Sequence, residues 1–221
     1  MASHAPTVSW DEIDTVLVDM DGTLLDLAFD NFFWLEVIPE HYASVRGLSV
    51  EESRLELRPR FESVVGTLPW YCLDHWTRSL GFDIKELKRS HRHRIRFLPG
   101  VPEFLEAVRR RGKRLQIVTN AHRDTFAVKA EQTGIDKLVD SVVCSHDLAA
   151  PKESAEFWRE LERRERFDRT RTLFLEDSLP VLAAARAHGI GYPIAIRRPD
   201  SRLPARVIES YAAIDGVADL I

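Results

Sequence analysis

Apolar residues fall along this chain in two rhythms. Short stretches that are apolar at nearly every position, with β-branched character, occur at 15–18, 115–118, 141–144, 172–175 and 192–196. A strand that is apolar on both sides is buried on both faces, as happens in a parallel sheet covered by helices. Between these stretches apolar positions recur with helical spacing, at 101–111, 123–132, 154–166 and 181–188. Pro99-Gly100 precedes the first of these, and Gly134 and Gly189 follow the second and fourth. The alternation predicts an α/β fold on a parallel sheet.

One interval breaks the alternation. From residue 27 to residue 97 the pattern is helical throughout, with Phe32, Phe33, Leu35 and Val37 in one segment and further segments at 55–65 and 70–80. This predicts an all-helical insertion directly after the first strand, with residues 1–26 and 98–221 forming the core. The exit, IRFLPGVPEF, carries Pro99, Gly100 and Pro102, which suit a linker back to the sheet.

Composition narrows the function classes. The 221 residues carry a formal net charge of −4, so no global positive field invites nucleic acid or anionic lipid. Cys72 and Cys144 are the only cysteines and form no Cys-x-x-Cys pattern, which argues against a disulfide framework or a zinc knuckle. The N-terminal MASHAPTVSWDEIDT lacks a basic start followed by an apolar core, and no apolar run approaches a bilayer span. A cytoplasmic monomer without nucleic-acid or membrane partners is the expectation.

Polar residues at the ends of the predicted strands carry the chemistry, because open parallel sheets bind ligands beyond the carboxyl ends of their strands. The first strand ends in Asp19 and Asp21, followed by Gly22 and Thr23. The second ends in Thr119-Asn120 and the fourth in Glu176-Asp177-Ser178, while Lys152 follows the third. Four acids in one cleft raise one another's pKa unless a cation compensates, and carboxylate donors suit Mg2+ shared with a substrate phosphate. A carboxylate can also attack phosphorus itself, a route that needs a second acid to protonate the leaving oxygen and then activate water. Asp19 and Asp21, two apart on an extended chain, can both approach one substrate.

The ordered set Asp19-Met20-Asp21-Gly22-Thr23, Thr119-Asn120, Lys152 and Glu176-Asp177-Ser178 resembles the four motifs of the haloacid dehalogenase superfamily. The resemblance implies a Rossmann-like core, a helical cap at residues 27–97, and Mg2+-dependent phosphoryl transfer through an aspartyl phosphate. It implies Asp19 as nucleophile and metal ligand, and Asp21 as general acid and base with a backbone carbonyl to the metal. Thr119 and Asn120 would bind the phosphoryl group, Lys152 would supply a cation, and Asp177 would ligate the metal. In one place the pattern departs: many relatives carry an acid where this chain has Val181, and Glu176 is the residue at hand to replace it. LDLAFDNFFW, LPWYCLDHW and TNAHRDTFAVKAEQTGID also resemble the purine 5'-nucleotidases of the superfamily, implying a purine nucleoside monophosphate, GMP or IMP, as the small-molecule substrate. The same core would serve a phosphoglycolate or sugar-phosphate phosphatase, a phosphomutase, a 2-haloacid dehalogenase or a non-catalytic phosphate-binding module.

Other features have plainer readings. Asn120 and Ser178 are also good helix N-caps. The aromatics Phe29, Phe32, Phe33, Trp34, Trp70, Tyr71 and Trp76 are expected to fill a core before they stack on a base. SHRHRIRF, with His91 and His93 two apart and no third ligand near, reads as a solvated face.

Overall fold

The computed structural model describes residues 8–221; the expectation drawn from MASHAPTVSWDEIDT rests partly on residues 1–7, outside that range. Six parallel strands form one sheet: β1 (Thr15–Val18), β2 (Arg114–Thr119), β3 (Ser141–Cys144), β4 (Thr172–Glu176), β5 (Tyr192–Ile196) and β6 (Ala212–Ile214). Their order, β3-β2-β1-β4-β5-β6, reverses direction at β1, the kind of switch point where open α/β sheets bind ligands. Strand β6 was not expected. It is three residues long and follows an exposed polar loop, too little for a pattern to register.

Residues alternate between the two faces of the sheet. Val16, Val18, Ile117 and Leu175 pack on one face with Phe104 and Val108 of α7 (Val101–Arg110) and Val128 of α8 (Arg123–Thr133). Leu17, Val118 and Phe174 pack on the other with α9 (Ala155–Glu165) and α10 (Leu179–His188). Burial on both faces explains why the strands carry no polar alternation.

The interval between β1 and α7 is helical, as its periodicity predicts. It holds α1 (Ala28–Phe32), a continuous π-helical stretch at Phe33–Val37, α2 (Ile38–Arg46), α3 (Val50–Glu62), α4 (Leu68–Tyr71), α5 (Leu73–Leu80) and α6 (Ile84–Ser90). Phe33, Ile38, Tyr42, Leu57, Trp76 and Leu80 bury one another in a separate apolar cluster, so this block has a core of its own. Chain entry and exit lie side by side: Asp26 N donates to Arg96 O at 3.0 Å, Leu98 N to Leu24 O at 2.9 Å, and Leu25 bridges Phe97. Among the described residues no helix is long and apolar enough to cross a membrane.

Candidate active site

Parallel register brings the motif residues to one rim. Val18 pairs with Ile117 on one side and Leu175 on the other, so the following Asp19 stands beside Glu176, and Thr119 closes β2 next to them. Lys152 reaches into this corner from the loop after β3. Its Nζ lies 2.5 Å from Asp19 Oδ1, 2.6 Å from Glu176 Oε2 and 3.1 Å from the Val118 carbonyl. All three charged side chains are buried.

Carboxylate oxygens of Asp19, Glu176 and Asp177 lie within 4.8 Å of one another. Burial pushes the Asp19 carboxyl up to about 8, with Glu176 adding and Lys152 opposing. Burial likewise raises Glu176 to about 7 against Lys152, and Asp177 to about 7, with Asp19 adding and Arg206 opposing. Burial works against the Lys152 charge too, yet Asp19 and Glu176 outweigh it and raise its pKa. Three carboxyl groups crowd one ammonium in this corner, and such a hard-oxygen donor set fits a divalent cation such as Mg2+, which would favour their ionised forms. Glu176 belongs to this group, while Val181 is buried in the apolar layer beneath it.

A tight turn follows Asp21. Gly22 has φ +86°, and a Cβ there would meet Asp177 Cγ and Pro199 Cβ at 2.9 Å. Only glycine lets the turn pass this close to Asp177.

Asp21 points elsewhere than a four-acid cluster would require. Its Oδ1 accepts from Lys129 Nζ at 2.5 Å, and the same ammonium reaches Asp30 Oδ2 at 2.6 Å, while Lys88 Nζ holds Asp30 Oδ1 at 2.7 Å. Two acids and two ammoniums alternate in a buried chain from the core into the helical block. Burial raises the Asp21 carboxyl against Lys129. For Asp30 burial acts in the same sense, but Lys129 and Lys88 outweigh it and hold the group below the ordinary carboxylate range.

Thr119 is buried and its Oγ1 accepts from Ala121 N at 3.0 Å. Asn120 does not cap α8; His122 occupies that position. The amide of Asn120 instead accepts from Lys152 N at 2.9 Å and donates to Glu153 Oε2 at 3.0 Å, fixing the loop that carries Lys152. Tyr71 of the helical block donates to the other oxygen of Glu153 at 2.7 Å. Ser178 precedes α10 without a side-chain capping bond.

A cavity of about 320 Å³ joins these groups to the helical block, a size suited to a small ligand. Asp19, Asp21, Thr119 and Lys152 line its floor; Trp34, Phe61, Trp70 and Tyr71 line its roof. The aromatics therefore divide. Phe33 and Trp76 fill the core as expected, whereas Trp34 and Trp70, stacked at 6.4 Å and 25°, open on the cavity. His91 and His93 join no metal-ligating group among the described residues.

Sequence reasoning missed Lys129, Asp30, Lys88, Glu153 and Arg206. All but Arg206 lie in helices or just before one, and Arg206 donates to the Asp177 carbonyl at 2.7 Å from an irregular loop. No spacing rule marks such partners. The sign available in the sequence was Lys129 directly after apolar Val128 in a segment of helical spacing.

Comparison with known proteins agrees with the motif resemblance. A family model described as haloacid dehalogenase-like hydrolase matches residues 13–189. The chain is 37% identical over 214 residues to the GMP/IMP nucleotidase YrfG of Escherichia coli, covering 97% of this chain and 96% of that protein. Among solved structures, a HAD phosphatase from Thermococcus onnurineus matches with a TM-score of 0.78 at 22% identity, over 94% of this chain and 96% of that one. CbbY from Rhodobacter sphaeroides, in complex with phosphate, matches with a TM-score of 0.66 at 18% identity over the same shares. At these identities the solved structures speak for the fold alone. The family model and the full-length relative go further: this chain belongs to the haloacid dehalogenase-like hydrolases.

Proposed function

We propose that the protein is a phosphatase acting on purine nucleoside 5'-monophosphates, GMP or IMP, with residues 27–97 as its cap and residues 1–26 and 98–221 as its core. The observation that carries the phosphatase part is the Asp19 carboxylate held at 2.5 Å by Lys152 on the floor of a cavity large enough for a small ligand. The purine part rests on similarity to the E. coli nucleotidase, which extends through the helical block.

Asp19, Glu176 and Asp177, with the Asp21 backbone carbonyl, would hold Mg2+, which supplies charge neutralisation for the substrate phosphate. One Asp19 oxygen attacks phosphorus as the P–O bond to the nucleoside breaks. Asp21, whose carboxyl burial raises against the pull of Lys129, gives a proton to the departing 5'-oxygen. The product is a nucleoside and an Asp19 acyl phosphate. Asp21, now a carboxylate, takes a proton from water as that water attacks phosphorus, releasing phosphate and regenerating Asp19. Lys152 and the Thr119 hydroxyl stabilise charge on the transferring oxygens, and Asn120 positions the Lys152 loop while offering an amide to the phosphoryl group. The aromatic roof would screen the reacting atoms from bulk water on its side of the cavity.

A phosphate-release screen over nucleoside monophosphates, phosphoglycolate and sugar phosphates, with and without Mg2+, tests this reading. GMP and IMP should lead, with turnover lost on chelation. Preference for phosphoglycolate or a sugar phosphate would overturn the substrate assignment, and halide release from 2-haloacids without metal would overturn the chemistry.

A further inference from the structure

Outside the carboxylate corner the fold gathers a second set of metal-ligating side chains. Cys72 lies between α4 and α5, His122 opens α8, and His146 sits in the turn after β3. Their ligand atoms lie within 4.8 Å of one another although they come from three distant segments. All three are half-buried.

We infer that Cys72, His122 and His146 form a binding site for a borderline-soft divalent metal, zinc above all, that ties the helical block to the core. One thiolate and two imidazoles make a donor set that selects zinc over magnesium. Tetrahedral zinc places such donors about 3.5 Å apart, which small side-chain rotations reach from the observed separation, and leaves a fourth position for water.

Local hydrogen bonding points the same way. The imidazoles of His122 and His146 meet edge to face at 4.8 Å, but packing alone does not account for His146 Nε2, which is buried and has no hydrogen-bond partner. Cys72 Sγ takes only a 3.4 Å bond from His75 N. His122 Nδ1 accepts from Asp124 N at 3.3 Å as the cap of α8 and lies 3.7 Å from the Asp124 carboxylate, so ligation through Nε2, which puts the ring proton on Nδ1, would exchange that capping bond for one to the carboxylate, the kind of acidic partner that orients a zinc-bound imidazole.

The placement gives the site a consequence. Tyr71 and Leu73, flanking Cys72, and Asn120 and Ala121, preceding His122, line the cavity. A metal on this set bridges the roof and floor at the cavity edge, so it holds the two together and slows substrate exchange. That effect on turnover rests on the phosphatase reading; binding does not.

The test titrates Co2+ and then Zn2+ into full-length protein saturated with Mg2+. One equivalent of cobalt should give tetrahedral visible bands with a thiolate charge-transfer feature, displaced by zinc. Cys72→Ser should lose that feature and weaken zinc binding by about a hundredfold or more, and His146→Ala should weaken it similarly. Absence of a thiolate band in the wild-type protein, or unchanged zinc affinity in Cys72→Ser, would overturn the site whatever the substrate proves to be. With substrate, one equivalent of zinc should slow the wild-type protein and spare Cys72→Ser; equal slowing of both would overturn the clamp.

Discussion

Lys129 Nζ lies 2.5 Å from Asp21 Oδ1 with its side chain 1% exposed, so the acid closest in sequence to Asp19 is governed by a lysine from α8. The same ammonium binds Asp30 in α1, which Lys88 in α6 also holds. Both sides of the cavity thus share one buried chain of charges. Lys129→Met would leave Asp21 and Asp30 short of a partner in low dielectric. We expect a loss of about 3–5 kcal/mol in stability by chemical denaturation and an altered pH profile of turnover. Wild-type stability together with an unchanged pH profile would refute this role.

Gly22 sets the distance between the first and last motifs. Gly22→Ala adds backbone strain of about 1–2 kcal/mol at φ +86° and drives a methyl into Asp177. Gly47 has φ +69° and open space around it, so Gly47→Ala should show the strain alone. Calorimetric Mg2+ titration should find affinity weakened in the first variant and preserved in the second. Equal affinities would deny Asp177 its place in the metal set.

Proton linkage makes a further prediction. In the metal-free protein burial raises Asp19 to about 8 and Glu176 and Asp177 to about 7, from ordinary values of 3.8, 4.5 and 3.8. Between about pH 4 and 8 the folded state therefore keeps protons that the unfolded chain has released, and these groups make stability fall as pH rises. Lys152 is raised above its ordinary 10.5 and stays fully charged across that window. On the proposed function Mg2+ would bind the carboxylate forms and reverse the trend, so it should raise Tm more at about pH 8 than at about pH 6. A larger gain at the lower pH would contradict the assignment.

Legibility divided along physical lines. Strands buried on both faces announced themselves, and their polar ends, Asp19, Thr119 and Asp177, could be ranked because a parallel sheet sends all such ends to one rim. The helical interval was equally plain. Hidden were contacts made by side chains from different elements: Lys129 on Asp21, Tyr71 on Glu153, and Asn120 on the Lys152 loop instead of the end of a helix. Those depend on how α8 and the helical block pack, which no local spacing encodes. The aromatics were ambiguous for the same reason, since Trp34 and Trp76 differ only in which side of the block they face.

Trp34 offers a test of substrate choice. It stacks with Trp70 at the cavity roof, above the carboxylates. If a purine lies against this pair, Trp34→Ala should raise KM for GMP by about tenfold while barely changing KM for a small aryl phosphate. Equal changes for both substrates would remove the base from the roof.

The central claim is that Asp19 becomes esterified to phosphorus, and it can be observed chemically. Protein quenched in acid during GMP turnover and reduced with borohydride, which converts an acyl phosphate to an alcohol, is digested and its peptides sequenced by mass spectrometry. The prediction is homoserine at position 19, absent without substrate and absent from Asp19→Asn. Sustained turnover with position 19 unmodified, or reduction at another carboxylate, would contradict the account.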